Sequence, residues 1–447
     1  MAALLRNNDL ARFDVFRLRQ RQSHNTLIDF CADFIRIDRW IELERAPIIF
    51  RSRFAMNQCP FHGGKRTAPN NCQTEPLPMF AQPMRGRKAL PGSRTAIIHF
   101  GVAMTAQRRD ERFMRAALKE AQKAVGQTSP NPAVGAVLVV DERSVARAHH
   151  RGAGHEHAEV ECLRVFGAKV PARAILYVTL EPCSTFGRTA PCTNAILKAS
   201  VKNVVTGAVD VNPRHSGRGI TQLRNAGVNV REGILAQESA RLNEGFNKWI
   251  VTGRPFVIAK CGMSLDGRLT RPPTEPRLIT SSAARHHAHE LRTRVDAILI
   301  GAETLRSDNP RLTVRGMQHG RQPWRVVLTR SGNLPPRAHL FSDRQAARTL
   351  VYKRKRLAAV LQDLGKRNLT SVLIEGGGEV LGQALDACLL DKVQLYLGPI
   401  LTGGPVIAFS GCGTGTTADA IRLDRVSYQR IGQNICITAY PSPVFAE

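Results

Sequence analysis

Thr179-Leu180-Glu181-Pro182-Cys183-Ser184-Thr185-Phe186-Gly187-Arg188-Thr189-Ala190-Pro191-Cys192 is the stretch on which the reading of this chain turns. The apolar run 174–180 leading into it reads as a buried strand. Cys192, directly behind Pro191, opens a predicted helix over residues 192–199. The quoted segment is then a strand-to-helix connection with two thiols in its loop. Open α/β sheets place ligands at this end of their strands, and a helix N-terminus favours a thiolate.

Upstream stands His157-Ala158-Glu159, at the start of a predicted helix over 157–166. His157, Cys183 and Cys192 supply an imidazole and two sulfurs. A catalytic zinc site uses three protein ligands and a water. Glu159 is close enough to serve that water without ligating. H-x-E followed by P-C and a second cysteine is the pattern of zinc deaminases, whose carboxylate is the general acid/base. The usual C-x-x-C close is stretched here, with eight residues between the cysteines.

Working outward, Asp110 is expected to cap a helix over 111–125 with Phe113, Ala117 and Ala121 on one face. An apolar strand over 135–140 follows a Ser-Pro-Asn-Pro turn. Strand 202–207, helix 218–226 and strand 228–231 continue the alternation, which predicts a layered α/β domain with a largely parallel sheet. Thr252-Gly253-Arg254-Pro255 reads as an inter-domain joint. Beyond it, strands are predicted over 256–261, 296–301, 324–329, 349–353 and 371–375, with helices over 281–294 and 379–387. Gly376-Gly377-Gly378, between the last strand and helix, would let backbone N–H groups approach a phosphate.

The chain has 447 residues, 43% of them apolar, and a net charge of +28. That length holds two or three domains. No run of about 18 apolar residues exists, so a membrane span is not expected. The basic balance reads as an arginine-rich solvated surface or as attraction for small anions. It does not select nucleic acid. The ten cysteines are too sparse for a disulfide scaffold, and a thiolate zinc site suits a reducing cytoplasm. Residues 1–105 lack sustained periodicity, and their acids argue against a transit peptide. They read either as a disordered extension or as an over-long reading of the gene ahead of Met104.

The quoted stretch closely resembles the bifunctional deaminase/reductase family of riboflavin biosynthesis, including its long inter-cysteine spacing. Asn131-Pro132-Ala133-Val134-Gly135, Asp210-Val211-Asn212-Pro213, Ser264-Leu265-Asp266-Gly267-Arg268, Asp308-Asn309-Pro310 and Glu375-Gly376-Gly377-Gly378 extend the resemblance over roughly residues 108–440. It implies a cytidine-deaminase-like α/β/α domain over 106–252 and a dihydrofolate-reductase-like α/β domain over 253–445. The first would hydrolyse the exocyclic amine of 2,5-diamino-6-ribosylamino-4(3H)-pyrimidinone 5′-phosphate with one zinc ion. The second would reduce the ribosyl group to ribityl with NADPH.

By position, the resemblance assigns zinc to His157, Cys183 and Cys192, and proton transfer to Glu159. Base and sugar phosphate fall to Asn131, His150 and Arg188. In the second half, substrate contacts fall to Lys260, Pro276, Arg292, Leu312, Arg315 and Glu375, the two arginines suiting the 5-phosphate. Gly262, Leu278, Thr304, Asp308, Arg330, Gly377, Gly378, Glu379, Val380, Leu381, Gly382 and Gln383 fall to the cofactor. The chain departs from the family at Thr185, where histidine is usual, at Pro276 and Arg330, where serine is usual, and at Leu278, where tryptophan is usual. The resemblance also implies self-association through the reductase half, with no nucleic-acid partner. Two other readings of the motifs are a nucleic-acid base deaminase, which would have no use for a glycine-rich cofactor turn, and a deaminase with an impaired reductase half.

Overall fold

The apolar run Gly135–Val140 is strand β1, buried on both faces by alternation. Ala136 and Leu138 enter one core cluster, while Val137 and Val139 enter another on the opposite side. This computed structural model describes residues 105–187, 189–269, 278–316 and 321–442, all within one compact unit. The expectations for residues 1–104, Arg188 and Pro276 lie outside the described residues.

The first sheet also contains β2 (Arg143–His149), β3 (Ile175–Leu180), β4 (Asn203–Ala208) and β5 (Asn229–Arg231), in the order β2-β1-β3-β4-β5. The β3–β4 and β4–β5 ladders are parallel, whereas β1 is antiparallel to both β2 and β3. The expected largely parallel sheet is therefore mixed. The cause is the hairpin at its edge, turned by Asp141 and Glu142 at φ 48° and 60°. A two-residue loop with both φ angles positive matches the twist of its strands.

Helices α1 (Ala106–Gln122) and α5 (Ala236–Leu242) cover one face. On the other lie α2 (Ala158–Phe166), α3 (Cys192–Lys198) and α4 (Arg218–Asn225), whose Cys162, Ile196, Ile220 and Leu223 enter its core. The domain is thus three-layered α/β/α. The cap of α1 is Thr105, whose side chain accepts from Arg108 N, not Asp110 as expected. Asp110 lies inside the helix, buried, and accepts from Tyr177 Oη at 2.7 Å and Arg231 Nε at 2.8 Å. A buried carboxylate gains more from a phenol and a guanidinium than from an exposed helix end.

Helix α6 (Glu244–Thr252) closes on Gly253 at φ 68°, the left-handed stop that glycine permits. The second sheet begins with β6 (Phe256–Ser264), β7 (Ala297–Gly301), β8 (Trp324–Thr329) and β9 (Thr349–Lys353). It is completed by β10 (Ser371–Ile374), β11 (Lys392–Gly398), β12 (Leu423–Ile431) and β13 (Asn434–Pro441), in the order β12-β13-β11-β6-β10-β7-β8-β9. From β11 to β9 every ladder is parallel, and the β12–β13 hairpin adds antiparallel to β11. The associated helices are α7 (Ser282–Glu290), α8 (Ala302–Asp308), α9 (His339–Ser342), α10 (Leu357–Lys366) and α11 (Gly378–Asp386). The predicted helix 281–294 is α7 followed by one 3₁₀ turn, Leu291–Thr293. Among the described residues, no helix is long and apolar enough to cross a membrane.

Candidate functional site

The first site forms where β3 ends and two helices begin. His157 is the N-cap residue of α2, Cys192 is the first residue of α3, and Cys183 follows β3 by three positions. Their ligand atoms lie within 4.8 Å of one another. His157 Nδ1 is 3.2 Å from Cys192 Sγ and 3.5 Å from Cys183 Sγ. With zinc–sulfur and zinc–nitrogen bonds of about 2.3 and 2.0 Å, a tetrahedral S–Zn–N edge is roughly 3.5 Å. The donors fit one zinc ion in type and spacing, with the imidazole offering Nδ1.

The neighbouring Cys192 thiol and then the His157 imidazole hold the Cys183 thiol well below the ordinary thiol range. The Cys183 neighbour, together with burial, pushes Cys192 upward. Glu159, at 3% exposed, is raised to about 7 by burial and then by the Cys183 charge. Such a carboxyl can give and take protons near neutral pH.

His150 packs edge-on against His157, with ring centroids 5.1 Å apart. Its Nδ1 lies 3.0 Å from the Glu156 carbonyl, so Nδ1 donates and Nε2 is left to accept from Asn131 Nδ2 at 3.0 Å. Burial lowers its pKa, which favours this neutral tautomer. Asn131 and His150 thus stand together beside the metal ligands. Thr189 Oγ1 lies 3.5 Å from His157 Nε2. Thr185 faces His215, a contact between loops that the sequence does not reveal.

The second site lies at the C-terminal ends of β6 and β10. Glu375, whose side chain is 6% exposed, is held by Arg292 Nε and Nη2 at 2.7 and 2.9 Å and by Lys260 Nζ at 3.6 Å. Burial alone would raise its pKa, but Lys260 and Arg292 hold it down to about 2. The Arg292 fork, expected on a phosphate, is occupied by Glu375, and its Nη1 donates to Thr313 O. Leu312, expected at the substrate, sits instead in the core with Leu291 and Leu305 at 2% exposed, because the apolar side chain is stabilised there. Arg315 is exposed, and its N–H donates to His289 Nε2 at 2.9 Å. His289 is a neighbour that sequence reasoning missed; burial, then Arg292 and Arg315, lowers its pKa.

Gly377 N donates to Thr304 Oγ1 at 3.0 Å, joining two of the expected cofactor residues. Gly262 lies on β6 at this end of the sheet, Asp308 ends α8, and Leu278 is 52% exposed. Arg330 pairs with Glu379, both exposed. Glu379, Val380, Leu381, Gly382 and Gln383 form the first turns of α11. Its glycines also answer to packing: a Cβ at Gly378 would lie 2.0 Å from Ile407 O, and one at Gly382 would lie 2.3 Å from Ser410 O. The half-buried Gly377 N–H at the start of α11, beside Thr304 and the Arg330–Glu379 pair, fits a phosphate-bearing cofactor in kind.

Residues 107–208 match the family model of the cytidine and deoxycytidylate deaminase zinc-binding region, and residues 255–437 match that of the RibD C-terminal domain. A relative from Synechocystis, riboflavin biosynthesis protein RibD, is 37% identical over 356 residues, 74% of this chain and 96% of its own length. The solved structure of Acinetobacter baumannii RibD superposes with a TM-score of 0.69 at 34% identity, covering 75% of this chain and 99% of that one. A Thermotoga maritima structure, titled diaminohydroxyphosphoribosylaminopyrimidine deaminase/5-amino-6-(5-phosphoribosylamino)uracil reductase, gives 0.68 at 33% identity, covering 75% and 99%.

Proposed function

The chain belongs to the RibD family of riboflavin-biosynthesis proteins, and from that premise we propose how its residues divide the work of two successive reactions. The first is zinc-dependent hydrolytic deamination of the diaminopyrimidine ribosylamine 5′-phosphate. The second is NADPH-dependent reduction of its ribosyl group to ribityl. The observation that carries this reading is the convergence of His157, Cys183 and Cys192 beside buried Glu159.

His157, Cys183 and Cys192 would hold zinc, which when bound supplies a water acidic enough to attack at neutral pH. Glu159 takes a proton and returns it to the ring and the departing amine. The fixed tautomer of His150 leaves Asn131 to orient the base through its remaining amide atoms, with Arg188 assigned to the sugar phosphate. In the second half, NADPH supplies hydride, and geometry with electrostatics does the rest. Lys260, held 3.6 Å from Glu375, faces the sugar. Arg292 fixes Glu375, while Arg315 remains exposed for the phosphate. Gly262, Thr304, Asp308, Arg330 and residues 377–383 would hold the cofactor, with Leu278 at its edge.

The deaminase domain spans 106–252 and the reductase domain 253–445 in this reading. A second copy associates through the reductase half, where β12 lies exposed along its length and Tyr428 is 73% exposed. The thiol ligands suit the cytoplasm. The test is a coupled assay on purified chain: the diaminopyrimidine substrate should release ammonia, and adding NADPH should then bleach its nicotinamide absorbance. No ammonia would overturn the reading, and ammonia without bleaching would restrict it to the first half.

A further inference from the structure

We propose that Glu181 is a positioning residue of the deaminase site and that the group it positions is His215, which meets the substrate at the rim of the metal centre. The inference rests on the deaminase reading and assigns roles to two residues outside the metal and acid–base set.

Glu181 lies between β3 and Cys183 and is 4% exposed. Its Oε2 accepts from Asp210 N at 3.1 Å and Gly217 N at 2.9 Å. Its Oε1 accepts from Gly219 N at 2.8 Å and Ile220 N at 3.3 Å. One carboxylate therefore grips both ends of the 210–217 loop. It also caps the first turn of α4, whose own N-cap, Gly217, has no side chain to do so. The seat is tight, since a Cβ on Gly219 would lie 1.9 Å from Pro182 O.

Inside the loop the backbone is tied again. Asp210 accepts from Asn212 N at 2.8 Å, and Asn212 O accepts from His215 N at 2.8 Å and Ser216 N at 2.9 Å. These bonds set the His215 ring against Thr185 Oγ1 at 3.2 Å. Thr185 belongs to the segment joining the two sulfur ligands, whose other end contacts His157 through Thr189. His215 is half-buried; Arg214 beside it in the chain, Arg218 three residues on and Phe186 next to Thr185 are exposed. A rim of imidazole, guanidinium and aromatic groups suits a phosphorylated heterocycle. Four amides converging on one buried acid make the placement of that rim depend on the residue beside the metal turn.

The test uses steady-state ammonia release by the full zinc-loaded chain, with metal content and NADPH oxidation of the deaminated substrate measured in parallel. His215→Ala, at a half-exposed site, should raise KM about tenfold, the loss of one hydrogen bond to a charged group, with kcat within about threefold. His215→Gln should recover part of that loss. Glu181→Gln should shift KM in the same direction with metal and reductase activity retained. The Glu181→Gln/His215→Ala pair should lose much less than the product of the single losses. An unchanged KM in His215→Ala, or multiplicative losses in the pair, would overturn the inference while leaving the deaminase reading intact. Absence of ammonia release by the unaltered chain would overturn both.

Discussion

At the scale of single residues, charge and burial decide what each acid can do. Glu159 is buried, and burial and then the Cys183 charge outweigh the His157 imidazole, so it sits at about 7. Glu375 is equally enclosed, yet two cations hold it at about 2. Glu159→Gln should retain stoichiometric zinc by elemental analysis and lower ammonia release by about 10²–10⁴-fold, the usual worth of a positioned proton-transfer group. Retained turnover would remove Glu159 from that role. Glu375 is depressed below its ordinary 4.5, so its stabilisation is complete above that pH and is lost as pH falls toward 2. The difference corresponds to about 3 kcal/mol. Urea unfolding of the unaltered chain should therefore show a steeper loss of stability between those pH values than Glu375→Gln, and parallel curves would refute the assignment.

At the scale of elements, the close approach of backbones governs the second site. Gly382 lies within helix α11, where Ser410 O and Gly411 N would stand 2.3 and 2.6 Å from an added Cβ. Gly382→Ala should therefore destabilise by about 1–3 kcal/mol, the cost of overpacking a filled contact. A lowered melting temperature with weakened NADPH affinity and unchanged metal content is the expected result. Element legibility follows the same physics. Strands β8 and β9 match the predicted bounds because β-branched and aromatic residues, among them Val326, Val327, Val351 and Tyr352, mark them as extended segments. Strand β2 was not foreseen, because Arg143–His149 is mostly polar and its turn uses Asp-Glu where Asn-Gly would signal a hairpin. Asp110 was expected at a helix start because capping is local, whereas its partner Arg231 lies 121 positions away.

At the scale of the molecule, polar seams join the segments on either side of residue 253. Ser129 Oγ donates to Asp296 at 2.7 Å, and Asp296 also accepts from Thr370 N and pairs with Arg321. Lys248 pairs with Asp391, and Lys392 with Glu244. The metal ligands all come from the first sheet and its helices, and the Lys260–Arg292–Glu375 cluster comes from the second. Chelation should therefore abolish ammonia release while NADPH oxidation of the deaminated substrate persists, readmitted zinc restoring the first activity. Loss of both on chelation would show that the metal also supports the second half.

The sequence by itself determined the layered α/β architecture and the pattern that brings His157, Cys183 and Cys192 together, because metal ligands and strand-to-helix turns are specified by short local patterns; the two activities were legible only through the resemblance that these motifs carry. Tertiary structure alone decided that Arg292 is spent on Glu375, that Leu312 belongs to the core, that His289 meets Arg315 and that His215 meets Thr185. Those placements depend on hydrogen bonds and packing between segments far apart in the chain, and no local periodicity encodes which distant partner a side chain will meet.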